Sequence, residues 1–238
     1  PPPATLTGAV AGLLRCAANP NTALAGGTTP LMALAEGECK LEAEELHHLI
    51  HEMVHCKADL HQADEAGMVA VHRALRGGRL DVAQELLVAK GCVEAVCYQG
   101  LTCLHHAVVG GSRKKVEFAL TEMGVSALED LCLLSRTPLA WAIACRSDKL
   151  VQLLVDKSTP VSTCFPRAWE PALTATALGN VSALRLLHQQ RADLTAQDRA
   201  GVGLLTRAYR VLEGWSGTAP AAEPAGAAQV TRTEVKEC

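Results

Sequence analysis

Aromatic residues are almost missing from this chain: two Phe, two Tyr and three Trp make up 3% of its 238 residues. Its apolar share of 49% is therefore carried mostly by Leu, Ala and Val. That composition suits closely stacked helices better than a sheet sandwich, whose strands favour aromatic and β-branched side chains. There is no apolar run of about 18 residues, so no segment is expected to cross a membrane. A basic excess is also lacking: 22 Lys and Arg face 25 Asp and Glu, a net charge of −3. This argues against a nucleic-acid partner, whose binding surface is normally basic. The short clusters Arg113-Lys114-Lys115 and Arg207/Arg210 read as solvated helix ends. Ten cysteines are present, but no C-x-x-C pair, so neither a zinc ribbon nor a dithiol redox motif has support. Scattered single cysteines act as small hydrophobes and fit a reducing compartment. No Gly-rich loop runs into Lys-Ser/Thr and no nucleophile elbow occurs, so no cofactor is expected.

What the chain does contain is a repeating unit, clearest between Lys90 and Leu120. A turn ends at Gly100, Thr102 to Ala107 opens a short apolar helix, Gly110-Gly111 stops it, and Val116 to Leu120 lie in a second helix. A unit of that layout cannot bury its apolar faces alone and should recur. Counterparts of Thr102 are Thr29, Val69, Thr137, Glu170 and Gly203, at steps of 40, 33, 35, 33 and 33 residues. Leu60, Val93, Leu128, Val161 and Leu194 recur before successive units. Gly78, Gly111 and Gly179 recur as helix stops, with Arg146 in their place in the fourth unit. Leu86-Leu87, Ala119-Leu120, Leu153-Leu154 and Leu186-Leu187 recur in the second helices. Paired helices are expected over 30–36 and 41–56, 70–77 and 80–89, 103–109 and 113–122, 138–145 and 148–155, and 171–178 and 181–189.

Thr29-Pro30-Leu31-Met32, Thr102-Cys103-Leu104-His105-His106-Ala107 and Thr137-Pro138-Leu139-Ala140-Trp141-Ala142 are pieces of a T-P-L-H-x-A pattern. Together with the turns Ala58–Gly67 and Ala192–Gly201, they make residues 5–215 resemble the ankyrin repeat family. The unit at Glu170-Pro171-Ala172-Leu173 is degenerate and the one at Gly203-Leu204-Leu205 truncated. The pattern has a mechanical basis: Thr caps the helix, Pro occupies its first position, and Gly ends it with a positive φ. The resemblance implies an all-α solenoid of about five helix-turn-helix repeats with partial capping repeats, stacked into one continuous core. The expected organisation is a capping repeat over residues 1–26, the stack over 27–215 and a Gly/Ala/Pro-rich tail over 216–238. A chain opening on Pro1-Pro2-Pro3 without a Met is expected to be processed, cut from something longer or incompletely represented. An intracellular, reducing site follows from the cysteines, with the cytoplasm favoured and an organelle left open.

A rival reading lies in the first long helix. His51-Glu52-Met53-Val54-His55 matches H-E-x-x-H, and His61 extends it to metzincin spacing, with Ala58 where that pattern has Gly. In a zinc hydrolase of this kind His51, His55 and His61 would hold the metal and Glu52 would act as general base. Against it, Ala58–Gly67 is already a repeat turn, and the 50 residues before the motif show no strand alternation. The histidines also lie opposite the apolar stripe Leu46, Leu49, Ile50, Met53 and Val54. Adventitious metal binding by the row His47, His51 and His55 is the milder alternative.

Function is expected to be non-enzymatic protein–protein recognition, as a scaffold, adaptor or accessory subunit of a larger assembly. The resemblance places binding on the turn tips and the outward side of each first helix. The tip positions are Glu65, Ala66 and Met68; Tyr98, Gln99 and Leu101; Leu133, Leu134 and Arg136; Arg167 and Trp169; Arg199 and Val202. The helix positions are Arg73, His106, Trp141, Thr174 and Arg207. Three of the seven aromatics (Tyr98, Trp141 and Trp169) fall on this surface. The expected partner-binding set is Tyr98, Leu101, His106, Leu133, Leu134, Arg136, Trp141, Arg167 and Trp169, with the arginines favouring acidic groups. The alternative is that Trp141 and Trp169 merely pack on each other across neighbouring repeats.

Overall fold

The structure is a computed structural model, and it describes residues 18–36, 43–77, 79–134, 136–157, 171–195, 197 and 201–212. Outside them lie most of the expected N-terminal capping repeat, the whole C-terminal tail, Gly78, Val161, Arg167, Trp169 and Arg199.

Among the described residues, five helix pairs and one further helix follow one another. They are α1 (Pro30–Ala35) with α2 (Ala43–His55), α3 (Ala70–Gly77) with α4 (Leu80–Val88), and α5 (Cys103–Val109) with α6 (Arg113–Met123). Then come α7 (Pro138–Ala144) with α8 (Asp148–Asp156), α9 (Pro171–Ala177) with α10 (Val181–Gln189), and finally α11 (Leu204–Leu212). Short 3-10 turns cover Ala25–Gly27 and Val125–Glu129. Among the described residues there is no strand, only the isolated bridges Val96–Thr102 and Gln197–Gly203. The chain therefore adopts the all-α stack that its period implies. First helices form one row, α1 on α3, α3 on α5, α5 on α7, α7 on α9 and α9 on α11. Behind them α2 packs on α4, α6 on α8 and α8 on α10.

Each first helix starts where its cap residue stands. Thr29 accepts the Met32 N–H at 3.3 Å, and Thr137 accepts the Ala140 N–H at 3.3 Å, each with Pro next in sequence. In two units an imidazole caps instead and also ties the unit to the next. His72 Nδ1 accepts the Val69 N–H at 3.3 Å, and its Nε2 lies 2.9 Å from the Ala95 carbonyl. His105 Nδ1 accepts the Thr102 N–H at 3.2 Å, and its Nε2 lies 3.2 Å from the Arg136 carbonyl. An Nδ1 that accepts and an Nε2–H that donates is the neutral imidazole in one tautomer. Burial agrees: it drives the His105 pKa down to about 4 and lowers that of His72.

First helices end on a residue with positive φ: Gly111 at 71°, Gly179 at 62° and, where no glycine is available, Arg146 at 54°. Arg146 gains a partner there, since its Nη2 donates to the Leu178 carbonyl of the next unit at 2.6 Å. The core is built from the interhelical faces: Leu104, Leu139, Leu86 and Leu154 are fully buried. Of the recurring aliphatics before each unit, Leu60 and Leu128 are buried, but Leu194 is 40% exposed. Among the described residues no second helix packs behind α11 to cover it.

Candidate partner-binding surface

Between units the chain makes a hairpin-like finger whose geometry is repeated. In the finger before α3, Asp64 donates its N–H to the Met68 carbonyl at 3.0 Å; Cys97 to Leu101 at 3.1 Å and Cys132 to Arg136 at 3.1 Å do the same in the next two. Fingertips are also joined to each other. The Glu65 N–H donates to the Gly26 carbonyl at 3.1 Å, Tyr98 to Ala66 at 3.0 Å and Leu133 to Gln99 at 2.9 Å. This backbone ladder needs close approach. Gly67 has φ 76°, and a Cβ there would lie 2.6 Å from the Tyr98 nitrogen.

The ladder fixes which side chains point outward. Ladder residues Tyr98 and Leu133 are 69% and 74% exposed, and Val96, two positions before Tyr98, is 56% exposed. Alternation within an extended segment puts Val96 and Tyr98 on one side. Leu134 is half-buried.

The residue just before each helix cap turns the other way. Leu101 and Arg136 are both buried to 5% relative exposure, contrary to the expectation that they line an open surface. Their position precedes the cap, from which a side chain packs back on the fourth helical residue, as in a hydrophobic staple. Those fourth residues, His106 and Trp141, are buried with them. Arg136 lies over the Trp141 ring, its Cζ 5.8 Å from the centroid. The indole N–H of Trp141 points at Cys132 Sγ, 3.4 Å away. Trp141 is thus an inward-facing residue, held within its own unit by Arg136 and Cys132. The alternative in which it packs on Trp169 falls outside the described residues, as do Arg167 and Trp169 themselves.

The same two positions carry different chemistry in the preceding units. Where the fourth unit has Cys132 and Trp141, the second has Asp64 and Arg73. The Asp64 carboxylate takes two donors from Arg73, Nε at 2.9 Å and Nη2 at 2.6 Å, and the Ala66 and Met68 N–H groups at 2.8 Å each. Arg73 reaches Thr28 and Glu36 as well, so it locks the first two units rather than facing a ligand. In the third unit the pair is Cys97 and His106. His106 lies against His72 with ring centroids 4.7 Å apart and ring planes tilted by 39°, and its Nε2 has no hydrogen-bond partner. Burial, with His72 and Arg76 nearby, holds its pKa well below the ordinary imidazole value.

The H-E-x-x-H histidines are not brought together as a ligand set. His51 and His55 sit on the exposed side of α2, while His61 belongs to the following turn, where its N–H donates to Asp59 Oδ1 at 2.9 Å. Of the row His47, His51 and His55, His47 binds Glu85 on α4 through Nδ1 at 2.7 Å. Among the described residues no three His, Cys, Asp or Glu side chains converge as metal ligands. No helix among them is long and apolar enough to cross a membrane.

Residues 39–127, which cover α2 to α6 and the fingers before α3 and α5, match a family profile described as "Ankyrin repeats (3 copies)". Over these residues the chain carries ankyrin repeats. Notch-regulated ankyrin repeat-containing protein A of Danio rerio is 24% identical to it over 95 residues, 40% of this chain and 85% of that protein. Ankyrin repeats generally mediate protein–protein interaction, which makes the exposed finger residues the natural place to look for a site. Sequence reasoning singled out Tyr98 and Leu133 correctly as exposed, and it passed over Val96. The signal that could have found Val96 is the two-residue alternation within the finger.

Proposed function

We propose that this ankyrin stack is a non-enzymatic recognition module, acting as a scaffold, adaptor or accessory subunit, whose partner lies on the fingers of the third and fourth units. The supporting observation is the exposure of Tyr98 and Leu133 at positions whose backbone is hydrogen-bonded to the preceding finger, in a chain with very few aromatics. Large apolar side chains on a preorganised edge lose little entropy on binding and are typical of interface centres. Leu134 flanks them, while Leu101, His106, Arg136 and Trp141 support the surface from beneath. Arg167 and Trp169 are assigned to the same surface by register alone and lie outside the described residues. No cofactor, metal or nucleic acid enters this reading. Six described cysteines are free thiols, in keeping with a reducing intracellular site, the cytoplasm by preference.

The test compares the protein with its Tyr98→Ser/Leu133→Ser variant in affinity capture from the native source, followed by mass spectrometry. Both side chains are exposed, so the variant should keep its helical circular dichroism and melting temperature. Loss of a stoichiometric partner by the variant supports the surface. Retention of every partner at unchanged affinity overturns it.

A further inference from the structure

The histidine-rich face of α2 has no part in the recognition surface, and two of its side chains are placed together. His47 and His51 stand one turn apart on α2, both exposed, with ring centroids 6.4 Å apart and ring planes tilted by 33°. They lie outside the buried stripe Leu46, Leu49, Ile50 and Met53, so the core does not need them. Residues four apart on a helix are neighbours on its surface, close enough for two imidazoles to reach one ion. With metal–nitrogen bonds of about 2.0–2.1 Å, the two ligand nitrogens must come within about 3 Å of each other. Exposed rings at this separation reach that geometry by side-chain rotation alone, without moving the helix.

The neighbouring unit sets the chemistry of the first ring. Glu85 of α4 holds its Oε2 2.7 Å from His47 Nδ1, and a carboxylate only accepts hydrogen bonds. Nδ1 is therefore the donor, and the neutral ring keeps its lone pair on Nε2. A histidine whose other nitrogen donates to a carboxylate is oriented by it and becomes a stronger metal ligand. The contact also crosses the packing of α2 on α4, which joins the first unit to the second. Among the described residues no third His, Cys, Asp or Glu converges on the pair, so water completes the coordination of a bound ion. Imidazole nitrogen suits Cu²⁺, Ni²⁺ and Zn²⁺, whereas Ca²⁺ and Mg²⁺ take oxygen ligands.

We propose that His47 and His51 form a two-histidine site for a late divalent transition-metal ion, with Glu85 as a positioning residue supplied by the next unit. His47 binds through Nε2 and His51 through a ring nitrogen. This set differs from the H-E-x-x-H set, since His55 and His61 take no part in it. The Glu85 contact exists only when the two units are stacked. The ion therefore binds the stacked form better and steadies that junction. The site is independent of the finger surface.

The experiment is calorimetric titration of the full chain with Ni²⁺ and then Zn²⁺, with thermal unfolding measured alongside. Ni²⁺ comes first because it favours imidazole, whereas Zn²⁺ also takes the thiols of this cysteine-rich chain. The proposal expects one Ni²⁺ per chain, its binding lost in His47→Ala/His51→Ala and weakened about tenfold in Glu85→Ala. The parent's melting temperature should rise by about 5–10 °C at free Ni²⁺ about 100 times its Kd, and that of the double variant should stay in place. His48→Ala and His55→Ala/His61→Ala should bind as the parent does. All four histidine changes on α2 and the one at His61 are at exposed positions, so helical circular dichroism should be kept. Binding that survives the double variant, or that His48→Ala weakens as much, means scattered surface imidazoles and overturns the site. Loss in His55→Ala/His61→Ala with His47→Ala unaffected overturns it in favour of the H-E-x-x-H set. An affinity unmoved by Glu85→Ala, or a parent melting temperature unmoved by Ni²⁺, overturns the role of the second unit.

Discussion

Acid should loosen the middle of this stack through His105. In the folded protein its Nδ1 accepts the Thr102 N–H and its Nε2–H donates to the Arg136 carbonyl, so a second proton has no place to go. Burial holds its pKa at about 4, against an unfolded value of 6.5. The folded value is the lower one, so the unfolded chain takes up the proton first. The stabilisation is complete above pH 6.5 and is lost as pH falls toward 4. Between pH 7.5 and 5 that linkage removes about 2 kcal/mol for His105 alone. For a stack of this size it corresponds to a fall of about 4–8 °C in melting temperature. His72 and His106 are shifted in the same direction and add to the loss. Asp130, raised by burial, acts in the opposite sense, and Asp81, held low chiefly by Arg79, matters only at more acid pH. The assay is thermal unfolding at pH 7.5, 6 and 5, for the parent and for His105→Ala. Alanine already stands at this register in the fourth unit, as Ala140, so the variant should fold. It should begin less stable and lose about 2 kcal/mol less on acidification. A parent whose melting temperature does not move, or a variant with the parent's full dependence on pH, would refute the argument.

Leu104 and Leu139 are fully buried between first helices, and replacing either by Ala should cost about 2–5 kcal/mol in urea unfolding; neutral values at both would mean the register is wrong. Trp141→Ala should lower stability by about 3–5 kcal/mol through lost packing on Arg136 and Cys132, visible as a lower melting temperature before any binding is measured. Gly67→Ala should destabilise by about 2 kcal/mol or more, because it combines a positive φ with a contact on the Tyr98 nitrogen, and hydrogen exchange should quicken at the Tyr98 amide.

Much of the stack was legible in the sequence, because helix starts and stops depend on neighbours within one turn. Thr29-Pro30 and Thr137-Pro138 announce their helices by capping and by proline's fixed φ, and α1 and α7 begin at Pro30 and Pro138. Gly111 marks a helix end, and the register alone pointed to Arg146 as its stand-in, which takes up the same positive φ. Leu46, Leu49, Ile50 and Met53 were readable as the buried stripe of α2 by their spacing.

What the tertiary structure alone decided is the direction of the finger side chains. Tyr98 and Trp141 are both large aromatics assigned to one surface by register, yet one is 69% exposed and the other 6%. Local pattern cannot separate them. Tyr98 faces out because its backbone N–H is drawn to Ala66 of the preceding finger. Trp141 turns in because Arg136 folds back over its ring and Cys132 lies within reach of its N–H. Arg136 shows the same division: composition makes it a cation for an acidic partner, whereas packing makes it a lid on an indole. Period and capping are written in short-range chemistry and so belong to the sequence. Exposure at the fingers depends on hydrogen bonds and ring contacts made only once the units are stacked.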